Sequence, residues 1–157
     1  MQRGFVVVDD TETHRTLLEE AVRFASNDDG DSAELVLFSW LTPERVDENF
    51  DAIASIEQME HTSYDAPSPL DSVRQFVRQF AEETLADLGK SVDYEIVAAV
   101  VDEDELGTKI IETAESHACD HVFLTGQKRS PTGKVLFGDV AQQVILNFDG
   151  LVTTAMD

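Results

Sequence analysis

Runs too short to be helices alternate along this chain with stretches whose apolar residues recur at helical spacing. "GFVVV" at 4–8 is β-branched and is stopped by Asp9 and Asp10, as a strand buried on both faces would be. In "TETHRTLLEEAVRFAS", Leu17, Leu18, Ala21, Val22 and Ala25 fall on one helical face, with Thr11 or Thr13 available as the cap. "NDDGDS" marks a turn, and "AELVLFSW" at 33–40 is a second apolar run. The pattern then repeats: helix about 69–88, strand 91–100, a helix in "DEDELGTKIIETAESHA", strand "DHVFLTG", helix 139–148 and a last short strand "LVTTAM". Leu70, Val73, Phe76, Val77, Phe80, Leu85 and Leu88 give the long helix its apolar stripe, and Gly89 suits its end. Such alternation requires a doubly wound α/β domain: a parallel sheet with right-handed crossovers and helices on both faces.

The chain has 157 residues, so 1–157 is read as one domain with a single substantial core. Residues 41–69 are the exception to the clear pattern. A short helix is suggested in "PERVDENFDAIASIEQM", followed by "HTSYDAPSPL", whose prolines mark a long loop. The N-terminal apolar run is too short for a leader peptide or a membrane span, and Cys119 is the one cysteine. A cytoplasmic, complete chain is the expectation, with Cys119 as a small core residue beside the strand at 121–125.

Charge narrows the partners. Thirty-two Asp and Glu oppose 11 Lys and Arg, for a formal net charge of -21, and the acids are spread through every segment. A dispersed carboxylate excess keeps a protein soluble where salt screens it and repels nucleic acid and anionic membranes. Acid enrichment with scarce lysine resembles the proteins of salt-accumulating halophiles.

Ligands of open parallel sheets bind at the strand carboxyl ends, where strand order reverses. The loops after the first and fourth strands are therefore the candidates. The second of these, "TGQKRSPTGKVLFG" at 125–138, gathers Lys128, Arg129 and Lys134 beside Gly126, Gly133 and Gly138. Ser130 and Thr132 add hydroxyls, and the following helix supplies free N–H groups, a setting suited to phosphate. Asp139 is also available to cap that helix with its own carboxylate, where an anion would otherwise lie. The stretch is not a P-loop: the "GK" at 133–134 is followed by Val135 rather than Ser or Thr.

The chain resembles the universal stress protein family over nearly its whole length. "FVVVDDTETHRTLLEEAVRFA", "AESHACDHVFLTG" and "RSPTGKVLFGDVAQQVI" carry the likeness. The resemblance implies an adenine nucleotide alpha-hydrolase-like fold: a five-stranded sheet of order 3-2-1-4-5, reversing between strands one and four. It also implies a homodimer paired through the last strand. Many members bind ATP through G-x2-G-x9-G-[ST]. Aligned back from Gly138, Thr125 and Lys128 occupy the first two glycine positions and Asp139 the hydroxyl position, so the motif is degenerate. Asp9 matches the acid used near the ribose, and Trp40 ends the second strand where it would flank an adenine. The implied site is thus Asp9, Trp40, Thr125, Gly126, Lys128, Arg129, Ser130, Gly138 and Asp139, taking ATP or AMP, with Mg²⁺ if ATP.

No catalytic constellation is evident. His14, His61, His117 and His121 lack metal spacing, and the His, Ser and Asp of "HTSYD" are adjacent in a loop without triad geometry. Arg74 and Arg78 are expected to make helix-surface pairs. Three functions stay open: a stress-response regulatory or interaction protein binding a nucleotide or other anion at 125–139, a dimeric interaction module of the same fold that binds none, and a slow ATPase. A protein partner is expected in the first two readings, its identity unknown.

Overall fold

The computed structural model describes residues 2–26, 33–46, 68–126 and 138–156. The expected turn at 27–32, most of the 41–69 segment and residues 127–137 lie outside the described residues. The elements in order are β1 (Arg3–Val7), α1 (Glu12–Ser26), β2 (Glu34–Leu41), α2 (Pro69–Leu88), β3 (Tyr94–Val100), α3 (Leu106–Ser116), β4 (His121–Gly126), α4 (Asp139–Asn147) and β5 (Leu151–Met156). The sheet has the order β3-β2-β1-β4-β5, and every neighbouring pair is parallel. The expected 3-2-1-4-5 topology is therefore present, with its reversal between β1 and β4.

Side chains alternate across the sheet, and each face receives its own pair of helices. Val6, Val8, Leu35, Leu37 and Phe123 pack on one side against Leu17, Leu18 and Val22 of α1 and Val77 and Ala81 of α2. Phe5, Val7, Val36, Phe38 and Leu124 pack on the other against Ile110 and Ala114 of α3 and Ala141 and Val144 of α4. This division follows from right-handed crossovers that move first toward β3 and then back past β1 to β4. Fully burying each such apolar side chain stabilises the fold by roughly 1.5–3 kcal/mol before chain entropy is subtracted. Cys119 joins the second core, and burial pushes its thiol up to about 11, leaving an inert packing residue.

Local chemistry sets the helix ends. Thr11 caps α1: its Oγ1 accepts the His14 N–H at 3.0 Å. Ser68 caps α2, accepting from the Asp71 N–H at 3.2 Å while the Asp71 carboxylate receives the Ser68 N–H at 3.4 Å. The hydrogen bond from Ser68 is the foremost reason the Asp71 carboxyl lies below the usual carboxylate range. At the other end Gly89 takes φ 63°, a left-handed stop that closes the helix. The acids of "DEDE" depart from expectation. Glu103–Glu105 form a 3-10 turn and α3 begins only at Leu106, so they precede the helix rather than occupy its first turn.

Asp120 fastens the start of β1 to β4. Its carboxylate accepts the Gln2 N–H at 3.1 Å and the Arg3 N–H at 3.3 Å. Burial alone would raise its pKa, but those two N–H donors prevail and hold it below the usual value. Arg74 pairs with Asp71 at 2.9 Å on the surface of α2, as expected of a helix-surface charge. Among the described residues no helix is long and apolar enough to cross a membrane.

Candidate functional site

An open cleft of about 910 Å³ lies over the carboxyl ends of the strands, at the reversal between β1 and β4. That volume is within the range of roughly 300–1,000 Å³ typical of small-molecule sites. Thr125 and Gly126 from the end of β4 and Gly138, Asp139 and Ala141 from the start of α4 form one wall. Thr42 and Glu44, following β2, and Asp102, Glu103 and Asp104, following β3, form the other. A smaller crevice of about 230 Å³ continues the space toward β1 and β2, lined by Asp9, Ser39, Trp40, Thr42, Arg45 and Glu103. Thr42 and Glu103 belong to both, so the two spaces share a wall.

Topology explains why these residues meet. The chain leaves β1 and β4 in opposite directions, which opens a gap above the sheet between them. The crossover from β3 to β4 must pass over the ends of β2 and β1, carrying 102–107 across that gap. α4 then begins at the gap with Gly138 as its N-cap, at φ 85° and ψ 151°, a left-handed-region backbone that a side chain would strain. Among the described residues no side chain caps this helix. The capping role considered for Asp139 is therefore corrected: it is the first helical residue, one place too late to cap, and its exposed carboxylate faces the cleft.

Six of the sequence-derived site residues line this two-part space: Asp9, Trp40, Thr125, Gly126, Gly138 and Asp139. Lys128, Arg129 and Ser130 lie outside the described residues. Trp40 is half-buried and stacks on Phe38, ring centroids 6.4 Å apart and 14° from parallel, while one side borders the crevice. Rim packing and a wall for a flat ligand are thus compatible for this ring. Missed from sequence were Ser39, Arg45 and the acids 102–104. The available signal was positional: each directly follows, or ends, a strand whose crossover runs over the switch point.

Two features of the lining decide its chemistry. Ser39 is only 7% exposed, and among the described residues its hydroxyl has no hydrogen-bond partner, although it borders the crevice. A hydroxyl on a buried side chain at a crevice wall is available to bond a ligand. The second feature is sign. Glu44, Asp102, Glu103, Asp104 and Asp139 face the larger space, whereas Arg45 is the cation at the crevice among the described residues.

His117 and His121 make their contacts away from the cleft. His121 Nε2 lies 2.7 Å from Thr153 Oγ1, and His117 Nε2 lies 3.2 Å from Glu95 Oε1. Among the described residues no group of three or more His, Cys, Asp or Glu is placed to hold a metal ion.

Solved structures share the whole architecture. A universal stress protein from Archaeoglobus fulgidus superposes with a TM-score of 0.61 at 22% identity, covering 98% of both chains. A universal stress protein from the same organism, in complex with dAMP, gives 0.57 at 17% identity, covering 98% of this chain and 97% of that one. A universal stress protein in complex with cAMP gives 0.58 at 15% identity, covering 99% and 96%. A search of curated proteins by sequence returns no significant match. The family model described as the universal stress protein family matches residues 1–153, almost the entire length. By that match the chain belongs to the universal stress protein family.

Proposed function

We propose that this protein is a cytoplasmic stress-response regulator that binds an adenine nucleotide in the cleft at the β1/β4 reversal. The observation that carries the reading is the convergence there of Asp9, Trp40, Ser39 and the glycine-led start of α4, which no side chain caps among the described residues. Trp40 and Ser39 offer an aromatic wall and a free hydroxyl to base and sugar, and the open N-terminus of α4 offers unpaired N–H groups to a phosphate. Relatives of the same fold were solved with dAMP and with cAMP, which supports an adenine nucleotide as the ligand class. Lys128, Arg129 and Ser130 complete the proposed site, and Mg²⁺ accompanies the ligand if it is ATP. Binding alters contacts with a protein partner.

The working form is a homodimer paired through β5. That strand ends the sheet, so one row of its backbone groups is unpaired among the described residues, and Leu151 at its start and Leu146 in α4 are 65% and 72% exposed. The strongly acidic composition supports the reading of a salt-rich, halophile-type cytoplasm. A second reading, a dimeric interaction module that binds no nucleotide, is favoured by one observation: the Asp139 carboxylate stands where the ATP-binding pattern has a hydroxyl.

Calorimetric titration with AMP in molar KCl separates the two. Micromolar binding, lost when Trp40→Ala and Ser39→Ala are combined, is the expected result. No heat at millimolar AMP, with the fold verified by circular dichroism, would establish the module reading instead.

A further inference from the structure

The two ends of the cleft have opposite tastes. At the crevice, Ser39 presents a hydroxyl without a partner among the described residues, Trp40 a flat ring and Arg45 a cation, with Asp9 in the same lining. These groups suit a neutral base and a sugar bearing hydroxyls. At the far end, where α4 begins, Asp102, Asp104 and Asp139 are exposed, and none makes an ion pair among the described residues. Asp139 is the first residue of α4, so one carboxylate already stands at the positive end of that helix.

We infer that the site selects against phosphate charge, taking a nucleoside or nucleoside monophosphate in preference to a triphosphate, with Ser39 holding the sugar or base and Asp139, Asp102 and Asp104 repelling the distal phosphates. This rests on the reading of the cleft as a nucleotide site and goes beyond it by naming which nucleotide. The physical reason is a difference in reach. A monophosphate is short enough to meet the free N–H groups at Gly138, where the helix dipole favours one anion. Each further phosphate brings additional negative charge toward three carboxylates that make no ion pair among the described residues, and like charges a few ångströms apart oppose binding. Salt screens that repulsion, so affinity for a triphosphate rises with ionic strength, the reverse of the usual trend for an anionic ligand.

The test is calorimetry with adenosine, AMP and ATP in EDTA, at roughly 0.2 M and roughly 2 M KCl, where the screening length changes several-fold. The fold is checked by circular dichroism at each salt concentration. At the lower salt AMP is expected to bind about tenfold or more tighter than ATP, the size of a unit-charge repulsion near a protein surface. The gap narrows at the higher salt while adenosine changes little. The double variant D102N/D139N should raise ATP affinity severalfold and leave adenosine unchanged, whereas Ser39→Ala should weaken all three alike. ATP binding as tightly as AMP, or unaffected by the double variant, overturns the selectivity and leaves the nucleotide site standing. No binding by any of the three removes the site itself.

Discussion

His121 shows how one buried residue acquires a pH dependence. It stands at the start of β4, its ring stacked on Phe123 at 4.2 Å and met edge-on by Phe24 at 5.4 Å. Its Nε2 reaches across to Thr153 on β5. Burial holds its pKa below 6.5, against the opposing pull of the Asp120 carboxylate. The folded chain therefore takes up this proton less readily than the unfolded chain. Stability linked to His121 is intact above about pH 6.5 and is lost as the pH falls below that toward the folded value. Thermal melts across that window should show the melting temperature dropping on the acid side. His121→Gln, which keeps a polar group for Thr153 but cannot titrate, should flatten that part of the profile. A variant whose profile keeps the full drop would assign it to other groups.

At the level of elements, α2 tests whether local sequence signals carry measurable stability. Its N-terminus combines Ser68, the reciprocal Asp71 contact and a proline at the first helical position, and its C-terminus is closed by Gly89. Ser68→Ala removes the acceptor for the Asp71 N–H. It should cost about 1 kcal/mol in urea unfolding, with an unchanged m-value because the buried surface is the same. A cost near zero would mean that water caps this helix equally well. Signals of this kind made the elements legible: β-branched runs gave the strands, the helical stripe gave Val77 at the centre of α2, and Gly89 its end. Boundaries shifted where polar residues were neutral between states, as at "SVD" before Tyr94 and at "DEDE", where acids compatible with a helix start formed a 3-10 turn instead. Half of the candidate site was legible for a different reason. Asp9, Thr125, Gly126, Gly138 and Asp139 sit where topology and family pattern both point. Ser39, Arg45 and Asp102 to Asp104 did not show, because only the path of a crossover over the sheet brings them to the gap.

Across the whole molecule, two electrostatic effects of salt compete, and their sizes decide the outcome. Screening weakens the ion pairs Arg3–Glu34, Arg15–Glu19, Arg15–Asp87, Arg23–Glu20 and Arg74–Asp71. All are at least partly exposed, and pairs of this kind contribute only about 0–1 kcal/mol each. Screening also relieves the mutual repulsion behind a net charge of -21 on 157 residues. That repulsion is long-ranged in dilute buffer, where the Debye length is about 30 Å at 0.01 M, comparable to the diameter of a domain, and short-ranged at 1 M, where it is about 3 Å. Relief acts on every carboxylate and should prevail over the loss of a few surface pairs. The melting temperature is thus expected to rise with KCl, steeply at first and then less as the screening length falls below the spacing between charges. Neutralising exposed acids should imitate the salt. E105Q, E112Q and E115Q, at positions that make no ion pair among the described residues, should together raise the low-salt melting temperature and reduce its slope against KCl. A melting temperature that ignored KCl, or a triple variant less stable at low salt, would show that these carboxylates are tolerated without repulsion and that the chain's acidity does not tie its stability to salt.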